Sequence, residues 1–98
     1  MEVRPDVRAD IDEAAAWYER QRSGLGAEFV REVVLVLPEL AANPFLNSRR
    51  HRKKHIRWRY PKRFPYRVIY RVDETNRAVV VVAVQHAAQH DSRWQERL

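Results

Sequence analysis

Residues 64–85 read FPYRVIYRVDETNRAVVVVAVQ, and this stretch decides the fold. Over residues 64–73, apolar side chains recur at every second position, which is typical of a β-strand with one buried face. The polar residues 73–76 predict a turn, and the β-branched run 78–85 predicts a central strand that is buried on both faces. The sequence therefore predicts two long strands, joined by a turn, at the centre of a sheet.

Two amphipathic helices are predicted before these strands. The first covers about residues 5–22, because apolar side chains recur there at steps of three and four and Gly24 is a suitable stop. The second runs from about residue 25 to 42, and Pro38 is expected to kink or loosen its last turn. The short connection between them predicts an antiparallel helical hairpin.

A short strand at 56–60 and a short helix within 91–98, with Trp94 turned inward, complete the predicted elements. We expect a single domain over residues 1–98. Its predicted fold class is α+β, with the helical hairpin packed on a twisted antiparallel sheet of three to four strands and a short C-terminal helix.

The composition excludes several classes of protein. The chain has 98 residues and no cysteine, which excludes disulfide scaffolds, thiolate metal sites and cysteine nucleophiles. Its longest apolar run has seven residues, far short of the roughly 20 that cross a bilayer, and the charged N-terminus does not resemble a secretory signal. We therefore expect a soluble cytoplasmic protein with no membrane partner.

The net charge of +6 is concentrated in one stretch of the chain. Residues 49–67 carry ten basic and no acidic side chains, whereas residues 1–48 carry five basic and nine acidic ones. Aromatic residues are interleaved with the cations, a pattern that suits phosphate contacts and base stacking, or an acidic protein partner. Alternatively, the aromatic residues belong to the core and the cations form a solvated face.

Metal and cofactor chemistry have little support in the sequence. The histidines form two pairs, His51 with His55 and His86 with His90, but neither segment has a helical pattern that would direct both rings to one metal. With two glycines in the chain, we find no phosphate-binding loop, and we expect neither a metal nor a cofactor. Cationic side chains could still support a ribonuclease, by stabilising the pentacovalent phosphate.

Arginines of the predicted strands are the main candidates for function. Arg57 and Arg59 alternate with apolar residues of one strand, and Arg67 and Arg71 alternate with those of the next. If the strands pair, the four are expected to line one polyanion-binding groove that His86 could reach. The alternative is that they occupy ordinary solvent-facing positions.

Several short motifs, taken together in their order, span nearly the whole chain. In order, they are the helix segment 10–19, the turn Gly24-Leu25-Gly26, Asn43-Pro44, the strand segment 63–70 and the tail His86…Trp94…Arg97. Together they resemble the RelE/ParE superfamily, the toxins of type II toxin–antitoxin modules that are often labelled plasmid stabilisation proteins. The fold of that superfamily agrees with the one predicted above from the residue pattern.

The resemblance implies a bacterial toxin that is held inactive by a cognate antitoxin protein, whose acidic or amphipathic segment would suit the basic stretch. RelE-like members cut messenger RNA in the ribosomal A site, whereas ParE-like members poison DNA gyrase. Arg67 matches an arginine of the nucleases, and His86 falls near their C-terminal histidine. Their upstream basic cluster is similar to Lys53, Lys54, Arg57 and Arg59.

The chain departs from the nuclease pattern, because Ala87 and Ala88 follow the last strand and no tyrosine occurs beyond Tyr70. We therefore predict a ParE-like inhibitor of DNA gyrase. The alternatives are a RelE-like, metal-independent endoribonuclease that acts on messenger RNA at the ribosome, and a non-toxic module that binds nucleic acid or an antitoxin. If the chain is a nuclease, the candidate catalytic residues are Arg67, His86 and Arg59. The candidate residues for binding a target or an antitoxin are Arg57, Arg59, Lys62, Arg63, Arg67, Arg71, Trp94 and Arg97.

The N-terminus also departs from the family pattern, which has a full strand before the first helix. Here Met1-Glu2-Val3 precede Arg4-Pro5, so either the strand is a stub or the true start lies upstream. A missing strand would leave one sheet edge open for pairing with the antitoxin or with another copy. A homodimer and a toxin–antitoxin hetero-oligomer are both compatible with the sequence.

Overall fold

The structure is a computed structural model that describes residues 1–52 and 55–98. The helices of this part of the chain are α1 (Pro5–Gln21), α2 (Leu25–Ala42) and α3 (Ser92–Gln95). Its strands are β1 (Glu2–Val3), β2 (Arg49–Arg50), β3 (Ile56–Arg59), β4 (Tyr66–Asp73) and β5 (Ala78–His86). Lys53 and Lys54, which belong to the predicted basic cluster, lie outside the described residues.

The strands form one sheet in the order β1-β5-β4-β3-β2. β4 pairs with β5 on one side and with β3 on the other, and both pairings are antiparallel. The N-terminal stub β1 pairs in parallel with β5, Glu2 lying opposite Val80. The predicted α+β fold is confirmed, but the sheet is mixed and has a fifth strand. The sequence analysis missed β2 because two adjacent arginines carry no alternating pattern.

The helical hairpin covers one face of the sheet. Its buried side chains include Val7, Phe29 and Leu40, which pack with Val68 and Tyr70 of β4. The two helices approach closely at Gly26, where a Cβ atom would lie 2.5 Å from the carbonyl oxygen of Ala15. A side chain at this position would therefore push α2 away from α1.

The C-terminal helix covers the opposite face. Trp94 is 1% exposed and packs with Ile56, Ile69 and Ala83, as the prediction of an inward Trp94 required. The helix is shorter than the predicted segment. In the hairpin, α2 continues through Pro38 to Ala42, and Pro38 is exposed.

An ion pair closes the edge of β5 beyond the short β1. The backbone N–H of Val84 donates to Asp10 Oδ2 over 3.0 Å, and Arg97 Nη1 donates to the carbonyl of Val82 over 3.1 Å. The two side chains also join each other, with Arg97 Nη1 and Nη2 at 2.6 and 2.8 Å from the Asp10 carboxylate oxygens. The chain itself therefore satisfies the backbone groups of Val82 and Val84 that a longer first strand would pair.

We expect Asp10→Ala to lower the free energy of unfolding by about 3 kcal/mol, because it removes the two close carboxylate contacts of a largely buried guanidinium and leaves it only Asp6 at 3.7 Å and the carbonyl of Val82. Val84 also loses its acceptor. Urea unfolding followed by circular dichroism measures the change.

The matched control is Asp12→Ala on the same helix, where the carboxylate and its partner Arg8 are both exposed. Its expected loss is below about 1 kcal/mol. Similar small losses for both variants would show that the pair does not hold the edge.

Candidate functional site

The arginines predicted to share a groove lie on opposite faces of the sheet. Arg57 lies directly opposite Tyr70, so it shares with Arg59 the face that the helices cover. Arg67 and Arg71 are an odd number of positions from Tyr70 on β4 and therefore face the other way. The prediction of one groove lined by all four is wrong. Alternation within each strand does not determine which residues of two paired strands lie on the same face of the sheet.

Arg59 is buried and connects β3 to the end of α2. Its Nη2 donates to the carbonyl of Asn43 over 2.6 Å, and Nη1 lies 3.7 Å from the Glu39 carboxylate. Its neighbour Arg57 is half-buried and lies over the ring of Phe45, 4.7 Å from the centroid. Both side chains therefore hold the segment after α2 against the sheet.

Arg67 is buried on the other face, where it contacts three groups. Its Nη2 lies 3.0 Å from Asp91 Oδ1 and 3.3 Å from the carbonyl oxygen of Gln89. Its guanidinium carbon lies over the ring of Trp58, 5.4 Å from the centroid. The contacts with Asp91 and Gln89 hold the C-terminal segment beside the sheet.

Asp91 is the centre of a polar cluster that we call the Asp91 cluster: His51, Arg67, Asp91 and Trp94. Its carboxylate accepts from the indole N–H of Trp94 over 3.2 Å and lies 3.2 Å from His51 Nε2. Burial by itself raises the pKa of Asp91. The hydrogen bonds from Trp94, Arg67 and His51 outweigh burial, so the pKa lies below its usual value.

Sequence reasoning missed His51 and Asp91 as members of this cluster. The two residues are 40 positions apart in the chain, and no local pattern connects them. The one available signal was the acidic residue just before the short helix that carries Trp94.

This face also has unsatisfied hydrogen-bonding capacity. In the described part of the chain, Arg67 Nε, Trp58 Nε1 and Gln85 Oε1 are buried without a hydrogen-bond partner. Gln85 lies directly opposite Arg67 in the pairing of β4 with β5. The donors of Arg67 and Trp58 and the acceptor of Gln85 could therefore bind a polar group.

His86 lies apart from Arg67. It is the cross-strand partner of Tyr66, whose ring packs with the core under the helices, and the two rings are 5.3 Å apart. Its Nδ1 accepts from the backbone N–H of Ala88 over 3.0 Å. The candidate catalytic residues are thus divided by the sheet, with Arg59 and His86 on the helix side and Arg67 on the other.

The predicted partner-binding residues divide into exposed and internal ones. Trp94 is buried, and Arg97 is bound to Asp10. Lys62, Arg63 and Arg71 are exposed. A partner can contact these three directly, whereas the internal residues would first have to leave their present contacts.

We expect the Asp91 cluster to make the free energy of unfolding depend on pH in the acid range. A carboxylate with a lowered pKa stabilises the fold above its unfolded pKa of about 3.9, and this contribution is lost as the pH falls through the folded value. Asp91→Asn stays uncharged, so its stability deficit relative to the natural chain should be largest at pH 7. The deficit should shrink between about pH 5 and pH 2. Urea unfolding at a series of pH values measures it, and a constant deficit would contradict the lowered pKa.

Comparison with known proteins places this architecture in a family. The family model described as the ParE toxin of type II toxin–antitoxin system, parDE, matches residues 1–90, a range that includes the helical hairpin and the whole sheet. A search of curated proteins finds no match. None of the described helices is long and apolar enough to span a bilayer. The match extends over far more than half of the sequence, and the chain therefore belongs to the family of ParE toxins of type II toxin–antitoxin systems.

Proposed function

We propose that this toxin inhibits DNA gyrase by binding it through a protein surface, and that a cognate antitoxin in the cytoplasm neutralises it. The observation that carries the proposal is the match of residues 1–90 to the ParE toxins. A ribonuclease would need cationic groups and a proton acceptor around one phosphate. Arg59, His86 and Arg67 do not converge, so the RelE-like alternative has less support.

The exposed cations at one end of the sheet are the best-supported contact surface. Arg50, Arg71 and the half-buried Arg57 line one open cavity of about 450 Å³. Phe45 lines it as well, and Asp73 and Glu74 offset part of its positive charge. Arginines beside an exposed aromatic ring suit an acidic or amphipathic partner segment. The target and the antitoxin would compete for this surface.

The remaining candidate residues would act indirectly. Arg59 holds the segment that carries Phe45, and Arg97 closes the edge of β5. Lys62 and Arg63 add positive charge in the loop between β3 and β4. Arg63 lies within 4.0 Å of Glu28 and Glu32, so part of its charge is already compensated.

The purified chain is expected to inhibit supercoiling of relaxed plasmid by gyrase at micromolar concentration. Arg71→Glu should raise the concentration for half inhibition by about tenfold, the effect of losing roughly 1.4 kcal/mol of binding. Arg71 is exposed, so the fold should survive the change, and circular dichroism checks this.

Arg8→Glu is the matched control, since it changes the net charge equally on the exposed side of α1. Its inhibition should equal that of the natural chain. Unchanged supercoiling at micromolar toxin would refute the gyrase proposal.

An assay with translating ribosomes tests the ribonuclease alternative. We expect no cleavage of messenger RNA in the A site when the purified chain is added. Cleavage that is abolished by Arg67→Lys in a folded variant would establish the alternative instead. Growth that continues after induced expression would favour a non-toxic binding module.

A further inference from the structure

The outer face of α2 carries apolar side chains that are exposed to solvent. Phe29, Val33 and Leu40 on its inner face are buried, yet Val34 and Leu35 on the outer face are 48% and 54% exposed. The other exposed residues of α2 are Ala27, Arg31, Pro38, Glu39, Ala41 and Ala42, of which only Arg31 and Glu39 are charged. Apart from these two charges the outer face is apolar, and an apolar helix face is usually buried.

The charges on this face are arranged symmetrically about its centre. Arg31 lies four residues before Leu35, and Glu39 lies four residues after it. In an antiparallel pair of identical helices with a twofold axis at Leu35, Arg31 of each copy lies beside Glu39 of the other. A parallel pair would bring like charges together.

The acidic flank of the helix is already partly neutralised within the chain. Arg63 lies 3.8 Å from Glu28 and 4.0 Å from Glu32, and Arg59 lies 3.7 Å from Glu39. These contacts reduce the repulsion that two acidic flanks would otherwise exert on each other. The small side chains of Ala27 and Ala42 at either end allow the helix axes to approach to about 8–10 Å.

We propose that the outer face of α2 binds the same face of a second copy of this chain, antiparallel, about a twofold axis at Leu35. An 18-residue helix is about 27 Å long, so the contact is smaller than a standard interface of about 1,600 Å². The dimer is therefore weak and reversible. The exposed Arg71 lies on the sheet face away from α2 and stays accessible, so each dimer presents two copies of it.

Cysteine crosslinking tests the axis, because the natural chain has no cysteine. Leu35→Cys should form a disulfide-linked dimer under mild oxidation, since identical residues at a twofold axis lie next to each other. Leu46→Cys is the matched control at 56% exposure and should remain largely monomeric. Equal crosslinking at both positions would overturn the proposal.

Sedimentation equilibrium tests the contact in the natural chain. The dimer fraction should rise between about 10 and 500 μM, a range that brackets a Kd of about 100 μM, or roughly −5.5 kcal/mol. Arg31→Glu should weaken association at least threefold, because it replaces the opposite-charge contacts across the axis with like-charge ones, whereas Arg8→Glu on α1 should leave association unchanged. A chain that stays monomeric throughout, or two variants that behave alike, would refute the dimer. Neither result depends on whether the toxin inhibits gyrase.

Discussion

The ion pair between Asp10 and Arg97 connects α1 to the C-terminal segment at the edge of β5. The first strand is two residues long, so most of that edge would otherwise expose unpaired backbone groups. The carboxylate accepts from Val84 and the guanidinium donates to Val82, while the two side chains bind each other. The positions of α1, β5 and the C-terminal segment therefore all depend on one interaction between residues 87 positions apart.

The basic residues of the stretch 49–67 include buried and exposed side chains, which the composition does not distinguish. Arg59 and Arg67 are buried, and each holds a separate segment against the sheet. Arg71, Lys62 and Arg63 remain outside, where a partner can reach them. The charge available for binding is thus smaller than the count of ten basic residues indicates. For the binding proposed above, the location of the few exposed cations matters more than the net charge.

The two sides of the sheet therefore differ in character. The helix side is an apolar core with an aromatic group, in which Tyr18, Phe29 and Phe64 contact one another. The other side contains the Asp91 cluster, whose charges and hydrogen bonds hold the short helix that carries Trp94. Burial of apolar area stabilises the first side, and charge-assisted hydrogen bonds order the second. Protonation of Asp91 in acid therefore weakens the second side, which is the side that carries Arg67 and Arg71.

The sequence by itself determined the helical hairpin, the two long strands, the inward Trp94 and the resemblance to the toxin superfamily. Each of these depends on local periodicity or on short motifs, which nearby residues define. The tertiary structure alone decided that Arg57 and Arg67 lie on opposite faces, that β2 exists, and that His51 meets Asp91. These features depend on the register between strands and on contacts between distant residues. A shift of one residue in register exchanges the two faces of a strand, and no local pattern in this chain determines that register.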